Sequence, residues 1–424
     1  MNVVIDNGSY RMDNMGDVAM LQVLVHRLQE RWPNADVGVL NDTPDRLERA
    51  CPGTHSIEPS AWHTLAVIPK LSPLRDASFG GSLRRFERHA ARFVPKLTYR
   101  GKRRHRRHQP EVAGRLDRYY EAVRDADLVV ASGGGYVNDH HADHAMKVLH
   151  TLALAQGLGI ATGMVGAGLG PMTDAAAIDL ARPVLRRLDL LALREGDGNR
   201  AELVKWGVPP DKAIDTGDDA IEPARARWND TPGDAIGICL RVAEHSNLSH
   251  VRAAEMAEAI WRVTATSGVP LRGLPVRSRL SPKNDVDTLR RAFGDKIDLA
   301  AAEAVTLPAD LLDLVAGCRV VVTGAYHAAV FALSMGIGVV ALTNDPYYDR
   351  KFGGLIAQFG GQAIRILPVA EADFDALAAA IDSVWTLDPE TRRSLKTSAE
   401  AQVAAGRQAY GQLFDLVDAK KGKA

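Results

Sequence analysis

The sequence predicts an α/β protein built from two Rossmann-like domains that face one another across a cleft. Three observations point there. Short apolar runs alternate with longer amphipathic segments through most of the 424 residues, the pattern of strands in a parallel sheet joined by covering helices. A polar, turn-rich run from Arg225 to Asp234 breaks that alternation, which then restarts, so the run reads as a linker between two units. Glycine-rich stretches follow several apolar runs directly, at the carboxyl ends of strands where open parallel sheets bind ligands. The length suits two or three domains, and 46% hydrophobic with 25% charged residues is a globular composition rather than a disordered or fibrous one.

Asn2 to Asp6 places three apolar residues between polar ones with no basic region before them, so a strand is expected there and a secretory leader is not. Further strands are expected at 35–40, 127–132, 160–166 and 188–194, each rich in Val, Ile, Leu or Ala and bounded by turn residues or charges. Between them, apolar spacing of three and four predicts helices at 16–31, 112–125, 141–156, 174–186 and 197–206. After the linker, strands are expected at 235–240, 269–276, 318–323, 338–343 and 363–368, with helices at 251–266, 283–294, 307–316, 326–335 and 370–385. A last helix from about 390 to 416 leads into the basic tail Lys420, Lys421 and Lys423, expected to fray. The domains are drawn at 1–226 and 233–388, with 389–424 as a C-terminal helix and tail.

Val148–Thr173 and Val320–Asn344 carry no Asp, Glu, Lys or Arg and are long enough for a bilayer span, but their glycines and His150, Gln156 and His327 favour buried pieces joined by turns. Cys51, Cys239 and Cys318 are far apart with no metal-ligand spacing, which fits a reducing, cytoplasmic setting without disulfides or structural zinc. Formal net charge is zero, yet residues 84–107 hold eleven Lys/Arg against the single acid Glu87. That basic insertion is either a solvated segment or a contact with an anionic surface: phospholipid, a lipid diphosphate or an acidic glycan. Nucleic acid is not expected as a partner, since no nucleic-acid motif accompanies the insertion and the rest of the chain is net acidic.

The loops after strands carry the candidate chemistry. Asn14, Gly16 and Asp17 stand where the first strand turns into a helix, whose free amides suit an anion, although Asp17 also suits a first-turn acid. Ser132-Gly133-Gly134-Gly135 permits close backbone approach to a ligand, and Asn138 or Asp139 suits the next helix cap. His140 and His144 have the spacing of a metal clamp but lack a further ligand motif, so solvated or substrate-contacting histidines are the ordinary expectation. A second glycine loop runs from Gly166 to Pro171. Arg194 and Arg241 each close a strand, where an arginine suits bidentate capture of carboxylate or phosphate; for Arg194 the alternative is a surface ion pair with Glu195. His327 opens an apolar helix directly after the strand ending at Thr323, the place of a cleft-facing group or a satisfied core histidine, and Tyr326 and Lys351 lie within reach of the same cleft.

Taken in order, Asn14-Met15-Gly16-Asp17, Ser132 to Gly135, Gly166 to Pro171, Leu193-Arg194 with Leu203 to Gly207, Asp215 to Asp218, Leu240-Arg241, Gly324 to His327 and Lys351 resemble the motifs of the polysaccharide pyruvyl transferase family. The resemblance implies a glycosyltransferase-B-like fold and transfer of a pyruvyl group from phosphoenolpyruvate to a sugar diol of a cell-surface glycan or its lipid-linked precursor, as a ketal. It carries over Arg194, Arg241 and His327, with His327 as general acid, and the scheme calls for no metal or cofactor beyond the donor substrate. The family's Arg-x-His motif departs here, its arginine falling on Ala325; Arg277 or Arg279, from a neighbouring loop, stands to replace it. Two other activities suit the same residues: a nucleotide-sugar glycosyltransferase with His327 as base and Lys351 on the phosphates, or a non-catalytic sugar- or phosphate-binding relative. The cysteine usage leads to the expectation of a cytoplasmic location, and the basic insertion 84–107 to that of a peripheral contact with the inner membrane face.

Overall fold

The computed structural model describes residues 1–59, 62, 94–241 and 249–422. Two sheets, parallel in every ladder, are built in sequence order. The first contains β1 (Asn2–Asp6), β2 (Asp36–Leu40), β3 (His55–Ile57), β4 (Leu128–Ala131), β5 (Gly134–Val137), β6 (Ala161–Leu169), β7 (Leu190–Leu193) and β8 (Ala213–Asp215). Its order is β3-β2-β1-β4-β6-β7-β8, with β5 paired to β6. The second contains β9 (Ala235–Cys239), β10 (Leu271–Gly273), β11 (Cys318–Thr323), β12 (Gly338–Thr343) and β13 (Ile364–Pro368), in the order β10-β9-β11-β12-β13. Strand order reverses between β1 and β4 and between β9 and β11, and at each reversal the neighbouring loops part and leave a crevice.

Alternating side chains serve both faces of each sheet. Val3 and Ile5 enter one apolar cluster while Val4 enters another; Val320 and Val322 face one cluster of the second sheet and Val321 the opposite one. Sheets covered on both faces need such nearly continuous apolar runs, which is why these strands stand out in the sequence.

Several elements differ from expectation. The strand expected at 269–276 is held to three residues by Pro270 and Pro275, which cannot donate to a ladder. The strand expected at 160–166 continues to Leu169 through a register shift between Met164 and Ala167, so much of the second glycine loop is strand. Gly134 and Gly135, expected in a loop, begin β5. The run after Asp345 forms a helix, Pro346–Phe359, because Asp345 accepts from the amides of Tyr347 at 2.8 Å and Tyr348 at 3.0 Å, with Pro346 in the first turn. Within the basic insertion, residues 94–107 include the helix Pro95–His105, where Lys96, Arg100 and Arg104 are exposed; positions 84–93 lie outside the described residues.

The last helix, Pro389–Lys421, returns to the first sheet. Tyr410, Leu413, Phe414 and Val417 join the cluster that holds Val3, Ile5, Val37 and Val39. Lys420 and Lys421, instead of fraying, pair with Asp189 at 2.8 Å and Asp127 at 2.7 Å. Midway along the helix, Tyr410 Oη donates to Asp219 Oδ2 at 2.7 Å, and Asp219 Oδ1 meets Arg27 Nη1 at 3.0 Å. This buried junction of three elements fixes the turn that presents the adjacent Asp218. Among the described residues no helix is long and apolar enough to cross a membrane.

Candidate active site

Loops at the carboxyl ends of both sheets enclose a cleft of about 220 Å³. Asn14 caps the helix Met15–Arg31, its side chain accepting from the Gly16 amide at 3.1 Å. The same stretch is tied to the second domain: Met15 N donates to Val276 O at 2.8 Å, Ser278 N donates to Asp13 O at 3.0 Å, and Asn14 and Arg277 form a β-bridge. The loops after β1 and β10 thereby make one wall. The first helical turn sets Asp17 in the cleft, where burial raises its pKa against the opposing pull of His327, Arg194 and Lys351.

His327 enters from the helix Tyr326–Ser334, whose start is turned by Thr323 Oγ1 accepting from Ala325 N at 2.8 Å. A Cβ on Gly16 would lie 2.0 Å from the His327 ring, so a glycine is what lets these two first turns, one from each domain, pass so closely. His327 Nε2 lies 3.5 Å from Asp218 Oδ2, and Arg194 Nη1 donates to the same oxygen at 3.1 Å. Burial works to raise the Asp218 pKa, yet His327 and Arg194 outweigh it and the net shift is downward, so a buried carboxylate is held ionised behind both side chains.

Arg194, 1% exposed, also donates from Nε to Glu195 Oε1 at 2.8 Å and lies over the Tyr326 ring at 4.4 Å. The Gln358 side chain donates to its carbonyl. Burial opposes the arginine charge, but Glu195, Tyr326 and Asp218 outweigh it and raise its pKa. On the helix Pro346–Phe359, Tyr347 and Lys351 are one turn apart and share a face; Lys351 Nζ sits 4.4 Å from the Tyr347 ring centroid and 5.4 Å from that of Tyr326. Burial, joined by the Arg194 charge, brings the Lys351 pKa down to about 8. Arg194 and Lys351 both close on Gly135, where a Cβ would be 2.6 Å from Nη2 of the first and 2.7 Å from Nζ of the second. On the opposite side Arg241 Nη2 is 3.6 Å from Asp285 Oδ2, which also accepts from Arg277 N at 2.6 Å.

Arg194 Nη2, Arg241 Nη2, Arg277 Nε, Tyr326 Oη and His327 Nε2 are buried without a hydrogen-bond partner, and all five residues line this cleft. Buried polar atoms are ordinarily satisfied, so this convergence of donors suits a small anion bearing several oxygens.

Residues 14–346 match the family model described as Polysaccharide pyruvyl transferase. The chain belongs to that family. None of the curated proteins compared matches it. Among solved structures it is similar to S. aureus MnaA in a UDP co-structure, at 13% identity over 96% of this chain and 94% of that one, with a TM-score of 0.56. It is similar to the UDP-GlcNAc 2-epimerase of Neisseria meningitidis bound to UDP-GlcNAc (11% identity, 94% and 98% covered, TM-score 0.51). It is likewise similar to Anabaena Alr3699/HepE in complex with UDP (12% identity, both chains fully covered at 100%, TM-score 0.51). At such identities the likeness is one of fold, the GT-B arrangement of two facing Rossmann-like domains.

For this pyruvyl transferase family member, Asn14, Asp17, Gly135, Arg194, Arg241, Tyr326, His327 and Lys351 line the cleft as a group. Gly16 serves it by lacking a side chain. Asn138 faces a larger adjoining cavity; it donates to Gly135 O at 2.6 Å and to Tyr347 Oη at 3.2 Å. Gly133 and Gly134 are not among the residues that line either space. A Cβ on Gly133 would strike Met20 Sδ at 2.5 Å and one on Gly134 the Tyr136 ring at 2.6 Å, so both are packing glycines. Arg194 pairs with Glu195, but as a buried group rather than a surface one. His140 and His144 part company: His140 packs against Tyr347, while His144 Nε2 meets Asn7 O at 2.9 Å and burial brings its pKa down to about 4. Among the described residues no three His, Cys, Asp or Glu gather as a metal site.

Ala325, at the family's arginine position, is buried in the second domain's apolar core. Arg277 brings a cation to the cleft from the β10 loop instead, whereas Arg279 is 55% exposed and lies 3.6 Å from Glu303. Asp218 and Tyr347 escape a residue-by-residue reading. Asp218 sits in a turn whose only signal is the Asp215 to Asp218 motif, and Tyr347 depends on recognising the Asp345-Pro346 helix start.

Proposed function

We propose that the chain transfers a pyruvyl group from phosphoenolpyruvate to two hydroxyls of a sugar, forming a cyclic ketal on a glycan or its lipid-linked precursor. The observation that carries this reading is the set of buried donors without a hydrogen bond from Arg194, Arg241 and Arg277, with Lys351 beside them, around only about 220 Å³. That space lies below the range of about 300–1,000 Å³ usual for drug-sized ligands, and its charge suits a compact molecule bearing both a carboxylate and a phosphate.

In this scheme the cations fix the donor, and His327 protonates its methylene carbon as the first sugar hydroxyl adds to the neighbouring carbon. The neutral His327 takes back the proton that the first hydroxyl releases, and the second hydroxyl then displaces phosphate from that carbon, its own proton leaving with the phosphate; Arg194, Arg241 and Lys351 stabilise the charge gathering on the departing group. Asp218 orients His327 and balances the imidazolium before it gives up its proton. Arg277 takes the part of the family arginine missing at Ala325. The chemistry is carried by the chain's own side chains and the donor, and the acceptor is met in the cytoplasm, with exposed Arg100, Arg104 and Arg107 offering contact with an anionic membrane surface.

The test is calorimetric titration with phosphoenolpyruvate, UDP-glucose and UDP-N-acetylglucosamine. Saturable binding of phosphoenolpyruvate, weakened at least tenfold in Arg277→Ala, supports the reading. Binding of a UDP-sugar with no response to phosphoenolpyruvate replaces it with glycosyl transfer.

A further inference from the structure

The cleft adjoins a second cavity of about 670 Å³. The two share Gly135, Arg194, Tyr347 and Lys351, so one thin wall of side chains separates a small space from a large one. Their chemistry differs. Glycines line much of the larger cavity, among them Gly168, Gly170, Gly198 and Gly353, together with Glu195 and Asp197. Its own additional cation, Arg350, is already held by Glu202 at 2.8 Å.

Neutral amides complete the lining, and their hydrogen bonds fix which end of each is free. Asn199, 1% exposed, accepts at Oδ1 from Leu169 N at 2.8 Å, leaving Nδ2 a buried donor without a partner. Gln358 uses Nε2 on the Arg194 carbonyl, leaving Oε1 a buried acceptor without a partner. Gln402 donates to Ser398 O at 3.2 Å and likewise keeps a free Oε1. A donor, two acceptors and carboxylates around a roomy, glycine-lined space match hydroxyl groups, each of which both donates and accepts. Away from the Arg194 and Lys351 that the two spaces share, these groups do not match an anion, which only accepts.

We infer that the larger cavity is the acceptor compartment and takes a neutral, polyhydroxylated pyranoside, with its reacting diol at the wall formed by Gly135, Arg194, Tyr347 and Lys351. The inference rests on the pyruvyl-transfer reading for the identity of the donor next door. The volume falls within the range of about 300–1,000 Å³ that encloses most of a drug-sized ligand, so more than one sugar ring is accommodated. Asn199 and Gln358 select for hydroxyls because a ligand lacking them leaves those buried groups unsatisfied.

Occupancy is read directly by a thiol placed in the cavity. Gly353 lines it, and a Cβ built there meets nothing within 4 Å, so Gly353→Cys is accommodated. The native Cys51, Cys239 and Cys318 are buried at 2%, 0% and 0% exposure and give little background. Alkylation of the variant by iodoacetamide is followed by mass spectrometry with methyl β-D-galactopyranoside, methyl β-D-glucopyranoside, methyl β-D-mannopyranoside or phosphoenolpyruvate present. At least one glycoside is expected to slow alkylation about tenfold at a concentration near ten times its Kd, while phosphoenolpyruvate slows it less than about twofold. Protection by phosphoenolpyruvate but by none of the glycosides overturns the inference, and so does the absence of protection by any of the four. Thermal shift of the same variant with phosphoenolpyruvate separates the two claims: no shift together with glycoside protection removes the donor assignment and leaves the sugar compartment standing.

Discussion

Gly135→Ala is the most informative single change to the cleft. The added methyl would lie 2.6 Å from Arg194 Nη2 and 2.7 Å from Lys351 Nζ, and no backbone atom is among its three nearest neighbours. To regain an ordinary contact of 3.4 Å, Nη2 must retreat by about 0.8 Å and Nζ by about 0.7 Å. Both are far ends of flexible chains and Gly135 has no left-handed φ, so the fold should absorb the change with a melting-temperature shift below about 2 °C, equivalent to about 1–2 kcal/mol at most. The donor feels it differently. Displacing reactive or positioning groups by about 1 Å costs about 10²-fold in rate, and both cations move away from the same ligand. Phosphoenolpyruvate affinity measured by calorimetry, and kcat/KM measured by phosphate release with an active glycoside acceptor, should each fall about 10²-fold. Wild-type affinity and turnover in a folded Gly135→Ala protein would refute the assignment of Arg194 and Lys351 to the donor.

His327→Asn should lower turnover by about 10²- to 10⁴-fold while phosphoenolpyruvate affinity changes little; equal turnover would make His327 a core residue. Lys351, with a pKa near 8, is charged below that pH and loses its charge above it, so phosphoenolpyruvate affinity should weaken between pH 7 and 9, and Lys351→Arg should abolish that dependence; a flat wild-type profile contradicts the role. Arg194→Ala strips the buried Asp218 of its closest charged partner and should destabilise the protein by about 3–5 kcal/mol in chemical denaturation, in contrast to the 0–1 kcal/mol of a surface pair. Replacing exposed Arg100, Arg104 and Arg107 by Ser should reduce binding to acidic liposomes, and the wild-type binding should weaken as salt rises, since the screening length is about 8 Å at physiological ionic strength; salt-independent binding, or binding equal in the variant, counts against a membrane contact.

The parts of the fold that were legible in the sequence are those buried on both sides. Val3-Val4-Ile5 and Val320 to Val322 lie in sheet centres, where every residue must be apolar, and glycine or charge marks their ends. The three-residue strands β3 and β8 have too few residues to show a period, and they sit at the sheet's edges. At the site, Arg194, Arg241 and His327 stood out in the sequence because each lies shortly after the end of a buried strand, at Leu193, Cys239 and Thr323. Asp218 was not recognisable as a site residue, because its role exists only once the fold brings it to Arg194 and His327, which come from different domains. The glycines divide by the same logic. Gly135 and Gly133 are indistinguishable in the sequence, yet one faces two cations and the other a methionine.

Pyruvyl transfer requires the small cationic cleft to hold phosphoenolpyruvate and to deliver its three-carbon unit to a sugar. Incubating the protein with ¹³C-labelled phosphoenolpyruvate and a panel of methyl pyranosides with adjacent or 4,6-related free hydroxyls, and analysing the glycosides by mass spectrometry and carbon NMR, tests it most directly. A glycoside should gain the mass of pyruvic acid less water, with a labelled ketal carbon, and His327→Asn should suppress this product. Unchanged glycosides under conditions where a nucleotide sugar is consumed would contradict it.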